Sequence, residues 1–220
     1  MTIPSIHPYY FSRLKRSFDL TLASLLLVVL SPMLAILAGI IWLTAGRPIF
    51  FVQRRLGWHN QVFTLYKFRT MRLGAEKLQA QLAAKNEAPA PMFKLHHDPR
   101  FVGVGRWLSN TGLDELPQLI NILRGEMSFI GPRPLPVAEA KALFKLHPEW
   151  KFRQAVKPGI LSEWSLDGHR HRSLAHWRSL DALTVQRGGL GYELTVVITS
   201  ALAILRWTAK TSLQRVPKVY

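Results

Sequence analysis

Cysteine is absent from this 220-residue chain, and acidic residues are scarce. Without a thiol the chain can form neither a disulfide bond nor a thiolate metal site. Its 29 Lys and Arg residues outnumber 13 Asp and Glu residues, which gives a formal net charge of +16. Such a surplus indicates a polyanionic partner, such as nucleic acid, anionic lipid headgroups or phosphorylated small molecules. Apolar residues make up 48% of the chain, so a disordered protein is excluded.

Residues 20–43 form an uncharged apolar run that is long enough for a membrane helix. Ser31-Pro32 lies at its midpoint, where proline removes a helix hydrogen bond and predicts a sharp kink. The Ser31 hydroxyl could bond a carbonyl freed by that break. Basic residues flank both ends, so the positive-inside rule places both ends in the cytoplasm. The pattern favours a re-entrant helix–break–helix, with a spanning helix and a buried core helix as alternatives.

The rest of the chain predicts an α/β fold that is mostly helical with a small β element. Residues 47–71 are rich in β-branched and aromatic residues around Gly57, which predicts short strands or a hairpin. Helices are predicted at residues 75–85, 105–109 and 137–156. Residues 194–205 are apolar but too short to span, and basic residues follow from Arg206, which predicts an interfacial helix. We therefore expect a membrane element at residues 1–46 and a cytosol-facing domain, with the interfacial helix near its end, at residues 47–220.

The stretch "TGLDELPQLINILRG" (residues 111–125) carries two adjacent carboxylates, Asp114 and Glu115. Thr111 and Asp114 have the spacing of a capping box, and Pro117 is tolerated only in the first turn of a helix. Both signals place the pair at a helix N-terminus, where the macrodipole favours anions. The two acids could simply cap that helix. Because adjacent helical positions point about 100° apart, they could instead divide two tasks, one binding a divalent cation and one facing a phosphorus atom.

Four basic residues could supply the cations that phosphate chemistry needs. Lys67 and Arg69 alternate with aromatic residues in "YKFRTM", so on a strand both would project to one face. Arg133 lies between two prolines in "GPRP", which fixes its backbone, and Arg106 precedes the carboxylates. Each alone could be a surface charge, but together they predict a phosphate-binding site. A nucleic-acid-binding protein would not explain the apolar run, and a glycosidase needs carboxylates on opposite sides of a sugar.

Five motifs in this order resemble the bacterial sugar transferases, the monotopic polyprenyl-phosphate phosphoglycosyltransferases, in their minimal catalytic-only form. The resemblance covers residues 15–160 and continues more weakly to residue 206. The motifs are "RSFDLTLASLLLVVLSPMLAILAGI", "GRPIFFVQRRLG", "FTLYKFRTM", "DPRFVGVGRWLSNTGLDELPQLINILRGEMSFIGPRP" and "KPGI". Family members often continue the last motif as "KPGITG" and a segment like "WAQVNGR", a region associated with the nucleotide-sugar pocket. This chain has "KPGILSEWSLDGHRHR" there.

The resemblance implies that Asp114 attacks the sugar-linked phosphate of a UDP-sugar, releasing UMP, and that polyprenyl phosphate then takes the phosphosugar from the aspartate. It implies Glu115 as a Mg²⁺ ligand and Ser31-Pro32 as the break of a re-entrant membrane helix. The implied location is the cytosolic face of the bacterial inner membrane. The implied partners are the UDP-sugar, a polyprenyl phosphate such as undecaprenyl phosphate, and anionic lipids, without nucleic acid; a homodimer stays open. A non-catalytic membrane-bound assembly protein with the same fold is the alternative.

Overall fold

The computed structural model describes residues 4–87, 93–95, 97–169 and 172–213, and it is mostly helical, with two small sheets. The α-helices in these ranges are α1 Arg13–Ala45, α2 Ala75–Gln81, α3 Gly105–Thr111, α4 Leu119–Leu123, α5 Val137–Leu146, α6 Glu163–Leu166, α7 Leu174–Gln186 and α8 Leu190–Leu213. The strands are β1 Phe50–Leu56, β2 Val62–Phe68, β3 Ser128–Ile130, β4 Leu135–Pro136 and β5 Gly159–Leu161. Short 3-10 helices connect several of these elements.

Helix α1 runs through Ser31-Pro32 without interruption, so the predicted helix–break–helix is a single helix. Pro32 has no N–H to donate to the carbonyl of Val28, four residues earlier. The Ser31 hydroxyl donates to that carbonyl instead, at 2.8 Å. The serine therefore has the role predicted for it, and the satisfied carbonyl is consistent with a helix that continues past the proline.

Both ends of α1 pack against the rest of the protein, while its middle is exposed. Towards its N-terminus Ala23 is in a core with Ile122 and Phe129, and towards its C-terminus Ile41 packs near Leu108. Apolar side chains near the centre lie on the surface, including Val28 at 73% exposure. This exposure excludes the alternative in which residues 20–43 form a buried core helix. Within the described ranges, α1 is the one helix long and apolar enough to cross a membrane.

The segment before α1 also lies on the domain that follows α1. The amide of His7 donates to the carbonyl of Val185 at 2.9 Å, and the Tyr10 hydroxyl donates to the carbonyl of Thr184 at 2.6 Å. Ile6 and Tyr10 pack against a core cluster that contains Val185. The chain just before α1 and the helix's C-terminal half therefore contact one and the same folded unit.

The hairpin predicted around Gly57 is confirmed. Strands β1 and β2 pair antiparallel from Phe50 opposite Phe68 to Leu56 opposite Val62, and β4 pairs with the other side of β1. The edge of β2 is bonded by the buried side chain of Asn121, which accepts from the Tyr66 amide at 3.2 Å. Asn121 also donates to the Thr64 carbonyl at 2.7 Å. This amide occupies the place of a neighbouring strand and fastens α4 to β2.

The second sheet brings the "GPRP" and "KPGI" motifs together. Strands β3 and β5 pair in parallel, with Ser128 opposite Gly159 and Ile130 opposite Leu161. A side chain on Gly131 would collide with the backbone of Gly159, and one on Gly159 would collide with the backbone of Gly131. Two glycines are therefore needed for the close approach of these motifs.

Two predicted helices differ from the structure. The helix predicted at 137–156 is α5 followed by a 3-10 helix, Pro148–Ala155, because the proline at position 148 cannot continue an α-helix and disfavours helical backbone at His147. The apolar segment at 194–205 lies within the longer α8, whose exposed face carries Leu194, Ile198 and Leu202. An interfacial position for that face stays a prediction, and the side chains after residue 206 lie outside the described part.

Candidate active site

Asp114 and Glu115 lie in the first turn of a 3-10 helix, Leu113–Gln118, that joins α3 to α4. The predicted capping box is not formed. Helix α3 continues to Thr111, so the Thr111 hydroxyl points back and donates to the carbonyls of Trp107 and Leu108 at 3.0 and 2.9 Å. Gly112 then reverses the chain with a left-handed φ of 74°, a conformation that favours glycine. This turn places the two acids beside strand β2.

The Glu115 carboxylate is held by two cations from distant parts of the sequence. Lys67 Nζ is 2.7 Å from Oε1, and Arg133 binds in a fork, with Nη2 2.5 Å from Oε1 and Nη1 3.2 Å from Oε2. Burial alone would raise the pKa of this carboxyl, but Arg133 and Lys67 outweigh that effect and hold the pKa well below its usual range. Glu115 is therefore ionised at neutral pH.

Asp114 has the opposite electrostatic setting. It is 6% exposed, and its Oδ2 is 3.8 Å from Lys67 Nζ, beyond hydrogen-bond distance. Burial raises the pKa of Asp114 to about 6, and Lys67 opposes that rise only in part. The result is a carboxylate whose charge is poorly compensated and which is therefore a better nucleophile than its neighbour.

The backbone that carries Arg133 is fixed through its carbonyl groups, since Pro132 and Pro134 have no N–H. The Gly159 amide donates to the Pro132 carbonyl at 3.1 Å. Arg153 Nη2 donates to the Arg133 carbonyl at 2.6 Å, and Arg55 Nη1 donates to the Pro134 carbonyl at 2.8 Å. Every carbonyl of the Pro-Arg-Pro segment is therefore bonded, which supports the rigidity predicted for Arg133.

The sequence region that departs from the family pattern contacts the site through Trp164. The centre of the Trp164 ring lies 5.6 Å from the Arg133 guanidinium, within the range of a cation–π contact. Trp164 is in α6, which begins with a capping box formed by Ser162 and Ser165. The sequence marked this region as divergent, and the structure places one of its side chains against Arg133.

The structure brings together Asp114, Glu115, Lys67 and Arg133, but it does not bring Arg69 and Arg106 to them. Strand β2 ends at Phe68, and Arg69 Nη2 donates to the carbonyls of Ala45 and Gly46 at the C-terminal end of α1. Its charge there complements the helix dipole. Arg106 lies near His97 and the Asp98 carbonyl, at 3.4 and 3.5 Å.

Sequence reasoning did not single out Asn121, Arg55 or Arg153 as supports of the site. Each bonds a backbone group across the fold, and nothing in the local sequence pattern specifies such a partner. Of these three, only Asn121 could have been found from the sequence, because it lies within an apolar helical run, where a buried amide requires hydrogen-bond partners. The structure shows that Asn121 is fully buried.

We expect Arg69→Gln to lower thermal stability without changing the KM for a nucleotide sugar. The substitution removes a charge-assisted bond to two carbonyls at the end of α1, a loss of about 1–3 kcal/mol. Thermal unfolding and donor titrations at a permissive temperature check this. A raised KM with unchanged stability would instead place Arg69 at the substrate phosphates.

Mg²⁺ was predicted at Glu115, and the side chains present fit it. Within the described residues Glu115 Oε2 accepts one hydrogen bond, from Arg133, and a carboxylate oxygen can accept two. Asp114 offers a second hard oxygen donor. In the part of the chain that the structure describes, no group of three or more acidic or histidine side chains could hold a metal. Mg²⁺ typically uses one or two carboxylates and takes its other ligands from substrate phosphates and water, which agrees with this donor set.

Comparison with known proteins connects this site to a family. A family model described as "Bacterial sugar transferase" matches residues 10–207. The chain is 36% identical over 194 residues to the exopolysaccharide production protein ExoY of Sinorhizobium fredii, with 86% of this chain and 84% of that protein covered.

Longer proteins also match. The chain is 37% identical over 157 residues to the UDP-glucose:undecaprenyl-phosphate glucose-1-phosphate transferase of Escherichia coli, covering 71% of this chain and 32% of that protein. It is 31% identical over 200 residues to the undecaprenyl-phosphate galactose phosphotransferase of Salmonella typhimurium, covering 88% of this chain and 40% of that protein. The chain thus spans less than half the length of these two transferases. The extent of the family match shows that the chain belongs to the bacterial sugar transferase family.

Proposed function

We propose that this protein transfers a sugar 1-phosphate from a UDP-sugar to a polyprenyl phosphate, such as undecaprenyl phosphate, through a covalent intermediate on Asp114. The observation that carries the proposal is the contrast between two adjacent carboxylates. Glu115 is fixed as an anion by Lys67 and Arg133, whereas Asp114 is buried and, among the described residues, its nearest ion-pair partner is Lys67 Nζ at 3.8 Å. A site of this kind holds one acid for binding and leaves the other for attack. The names of the Escherichia coli and Salmonella relatives describe transferases that act on undecaprenyl phosphate.

The chemistry consists of two displacements at one phosphorus atom. An Asp114 oxygen attacks the sugar-bearing phosphorus of the UDP-sugar, a P–O bond forms, and the bond to UMP breaks, so UMP leaves with the electron pair. A phosphate oxygen of the polyprenyl phosphate then attacks the same phosphorus. The bond to Asp114 breaks, which restores the carboxylate and leaves a polyprenyl diphosphate sugar.

Lys67 and Arg133 lie where they can stabilise the negative charge of the donor diphosphate. Both contact Glu115, so they reach the neighbouring Asp114 site as a preorganised pair and do not need to move far to meet phosphate oxygens. Bound Mg²⁺ would neutralise diphosphate charge, and Glu115 is the residue we assign to hold it. Glu115 thus holds the two cations beside Asp114, and it would hold the metal there as well.

We propose that α1 bends at Pro32, so that this continuous helix enters the bacterial inner membrane from the cytosolic side and returns to that side. Support comes from the packing: the chain before α1 and the C-terminal half of α1 contact one folded unit, and residues 24–36 between the packed ends of α1 contain no buried side chain. The acceptor phosphate is at headgroup level while its tail stays in lipid, so such a helix would hold the site at the acceptor. The exposed apolar residues of α8 suit the acyl boundary of the membrane interface, and the positive net charge suits anionic headgroups.

Single cysteines at exposed positions test this topology, because the native chain has no thiol. We expect Ser5→Cys and Lys141→Cys, on either side of α1, both to react with a membrane-impermeant maleimide in inside-out membrane vesicles and both to be protected in intact cells. Labelling of position 5 only from the periplasmic side would show that α1 spans.

The pH dependence of donor cleavage should report the ionisation of Asp114. Its pKa is raised to about 6, and the attacking species is the carboxylate, so the rate should rise about tenfold per pH unit below 6 and level off above 7. Lys67→Met should move this rise to higher pH because Lys67 lowers the pKa of Asp114. UMP release measured between pH 4.5 and 8.5 checks both; a rate independent of pH across this range would contradict the raised pKa of the attacking carboxyl.

UMP release in detergent with Mg²⁺, undecaprenyl phosphate and a panel of UDP-sugars tests the overall reaction. The panel includes UDP-glucose and UDP-galactose because the names of two relatives specify these sugars. Lipid-dependent UMP release with one or more donors is the expected result. Folded, membrane-bound protein that releases no UMP with any donor would favour the non-catalytic assembly protein.

A further inference from the structure

A buried ion pair lies behind the proposed site, and the chemistry above does not use it. Arg153 Nε is 2.8 Å from Asp181 Oδ2, and the two side chains are 5% and 0% exposed. The Arg153 guanidinium also lies against the rings of Trp150 and Trp177, at 5.7 and 5.1 Å from their centres. Helix α7 supplies Asp181, and the 3-10 helix Pro148–Ala155 supplies Arg153.

Fold stability is a weak reason for this pair. Moving two charges out of water costs several kcal/mol per ion, and the mutual attraction repays that cost only when hydrogen bonds satisfy both groups. Among the described residues, neither Asp181 oxygen accepts a hydrogen bond of good geometry. Burial raises the pKa of Asp181 to about 6 although Arg153 opposes the rise, so Arg153 only partly compensates the cost of burying the Asp181 charge. Pairs of this kind can often be replaced by apolar residues without loss of stability.

The polar contact that Arg153 makes towards the site is with the backbone of Arg133. Arg153 Nη2 donates to the Arg133 carbonyl at 2.6 Å, and Arg133 itself binds Glu115 through both guanidinium Nη atoms. Because prolines flank Arg133, neither neighbouring residue can fix this backbone through an N–H. The bond from Arg153 holds the backbone of Arg133, and Arg133 is the residue of the Pro-Arg-Pro segment whose side chain contacts Glu115.

We propose that the Arg153–Asp181 pair positions Arg133 for phosphate binding beside Asp114, an inference that rests on the proposed function. Asp181 attracts the Arg153 guanidinium as an ion-pair partner at 2.8 Å, the two tryptophan rings pack against that guanidinium, and its Nη2 holds the Arg133 carbonyl. Arg153 and Asp181 are positioning residues, because they act on the site through the Arg133 carbonyl.

An apolar replacement separates positioning from stability. In Arg153→Met with Asp181→Leu, we expect a melting temperature within about 5 °C of wild type and a kcat for UMP release lowered about 10- to 100-fold. The matched control is Asp98→Leu with Arg100→Met, which removes another buried pair whose Nη2–Oδ2 distance is 2.6 Å, and it should leave kcat unchanged. Wild-type kcat in the folded apolar variant would overturn the proposal.

Arg153→Lys covers the case in which the apolar variant does not fold. It keeps a charge beside Asp181 but replaces the planar fork, so one ammonium cannot reproduce both the ion pair and the bond to the Arg133 carbonyl. We expect a folded protein with lowered kcat and a KM for the donor within about threefold of wild type. Unchanged kcat in this variant would also overturn the proposal.

A double-mutant cycle with Arg133→Gln gives a readout that a merely structural role would not produce. If Arg153 acts through Arg133, the pair replacement should lower kcat much less in the Arg133→Gln background than in wild type. Equal fold-losses in both backgrounds would contradict this. The same cycle can be measured as melting temperatures, which do not require an active enzyme. The fall in melting temperature caused by Arg133→Gln should be smaller once the Arg153–Asp181 pair is replaced, and equal falls in both backgrounds would overturn the positioning role. Absence of UMP release from wild type would count against the proposed function alone.

Discussion

Asp114→Asn should abolish UMP release and should not lower the stability of the protein. The amide cannot form the acyl phosphate, so we expect the rate to fall by about 10⁴-fold or more, as for other nucleophile substitutions. Stability should be unchanged or higher at pH 7, since the raised pKa of Asp114 shows that the fold disfavours its charge. The measurements are UMP release and thermal unfolding of both proteins.

The stability of Asp114→Asn relative to wild type should depend on pH in a definite direction. A carboxyl whose pKa is raised on folding stabilises the folded state when it is protonated, and that contribution is lost as the pH rises from the unfolded value of about 3.9 to the folded value of about 6. The asparagine side chain is uncharged at every pH, so the variant keeps this contribution. Its stability relative to wild type should therefore increase between pH 4 and 6 and stay constant above pH 6. Destabilisation by Asp114→Asn at pH 7 would show that the Asp114 charge is needed for folding.

Glu115→Gln, one position further along the chain, should have the opposite effect on stability while also removing activity. The substitution leaves Lys67 and Arg133 without their carboxylate in a site where Glu115 is 14% exposed, and breaking a buried pair in this way costs about 3 kcal/mol. For a chain of this length that corresponds to a fall of roughly 6–12 °C in melting temperature. Activity should fall because the phosphate-binding cations and the proposed Mg²⁺ ligand are lost together.

The stability loss in Glu115→Gln should depend on pH in the acid range. The pKa of Glu115 is lowered on folding, so its contribution is fully present above the unfolded value of about 4.3 and is lost as the pH falls below it towards the folded value. The difference in melting temperature between wild type and Glu115→Gln should therefore be constant above pH 7, where Asp114 is ionised in both proteins, and shrink below pH 4. A difference that is absent at pH 7 would mean that the ion pairs with Lys67 and Arg133 do not stabilise the fold.

The sequence predicted those features that local patterns determine. The hairpin followed from β-branched and aromatic residues around Gly57, and the role of the Ser31 hydroxyl followed from the missing N–H of Pro32. Lys67, Arg69, Arg106 and Arg133 were together predicted to form one phosphate site beside the two carboxylates, because phosphate chemistry needs cations. The structure confirms that Lys67 and Arg133 meet at Glu115.

Features that depend on long-range contacts were not predictable in the same way. Arg69 has the same two-residue alternation as Lys67, yet β2 ends between them and Arg69 binds the end of α1. Thr111 had the spacing of an N-cap, but α3 extends over it, and only tertiary structure decides which of two adjacent helices includes a residue. The bond from Arg153 to the Arg133 carbonyl joins positions 20 residues apart, and no periodicity encodes it.

Capture of the covalent intermediate is the most direct test of the central claim. Wild-type protein is incubated with a UDP-sugar that carries ³²P in its sugar-linked β-phosphate, first without acceptor and then with undecaprenyl phosphate. The account predicts that the label becomes attached to the peptide that contains Asp114, passes to the lipid when acceptor is added, and never attaches to the Asp114→Asn protein. Lipid product formed without labelled protein, or formed at the wild-type rate by the asparagine variant, would contradict it.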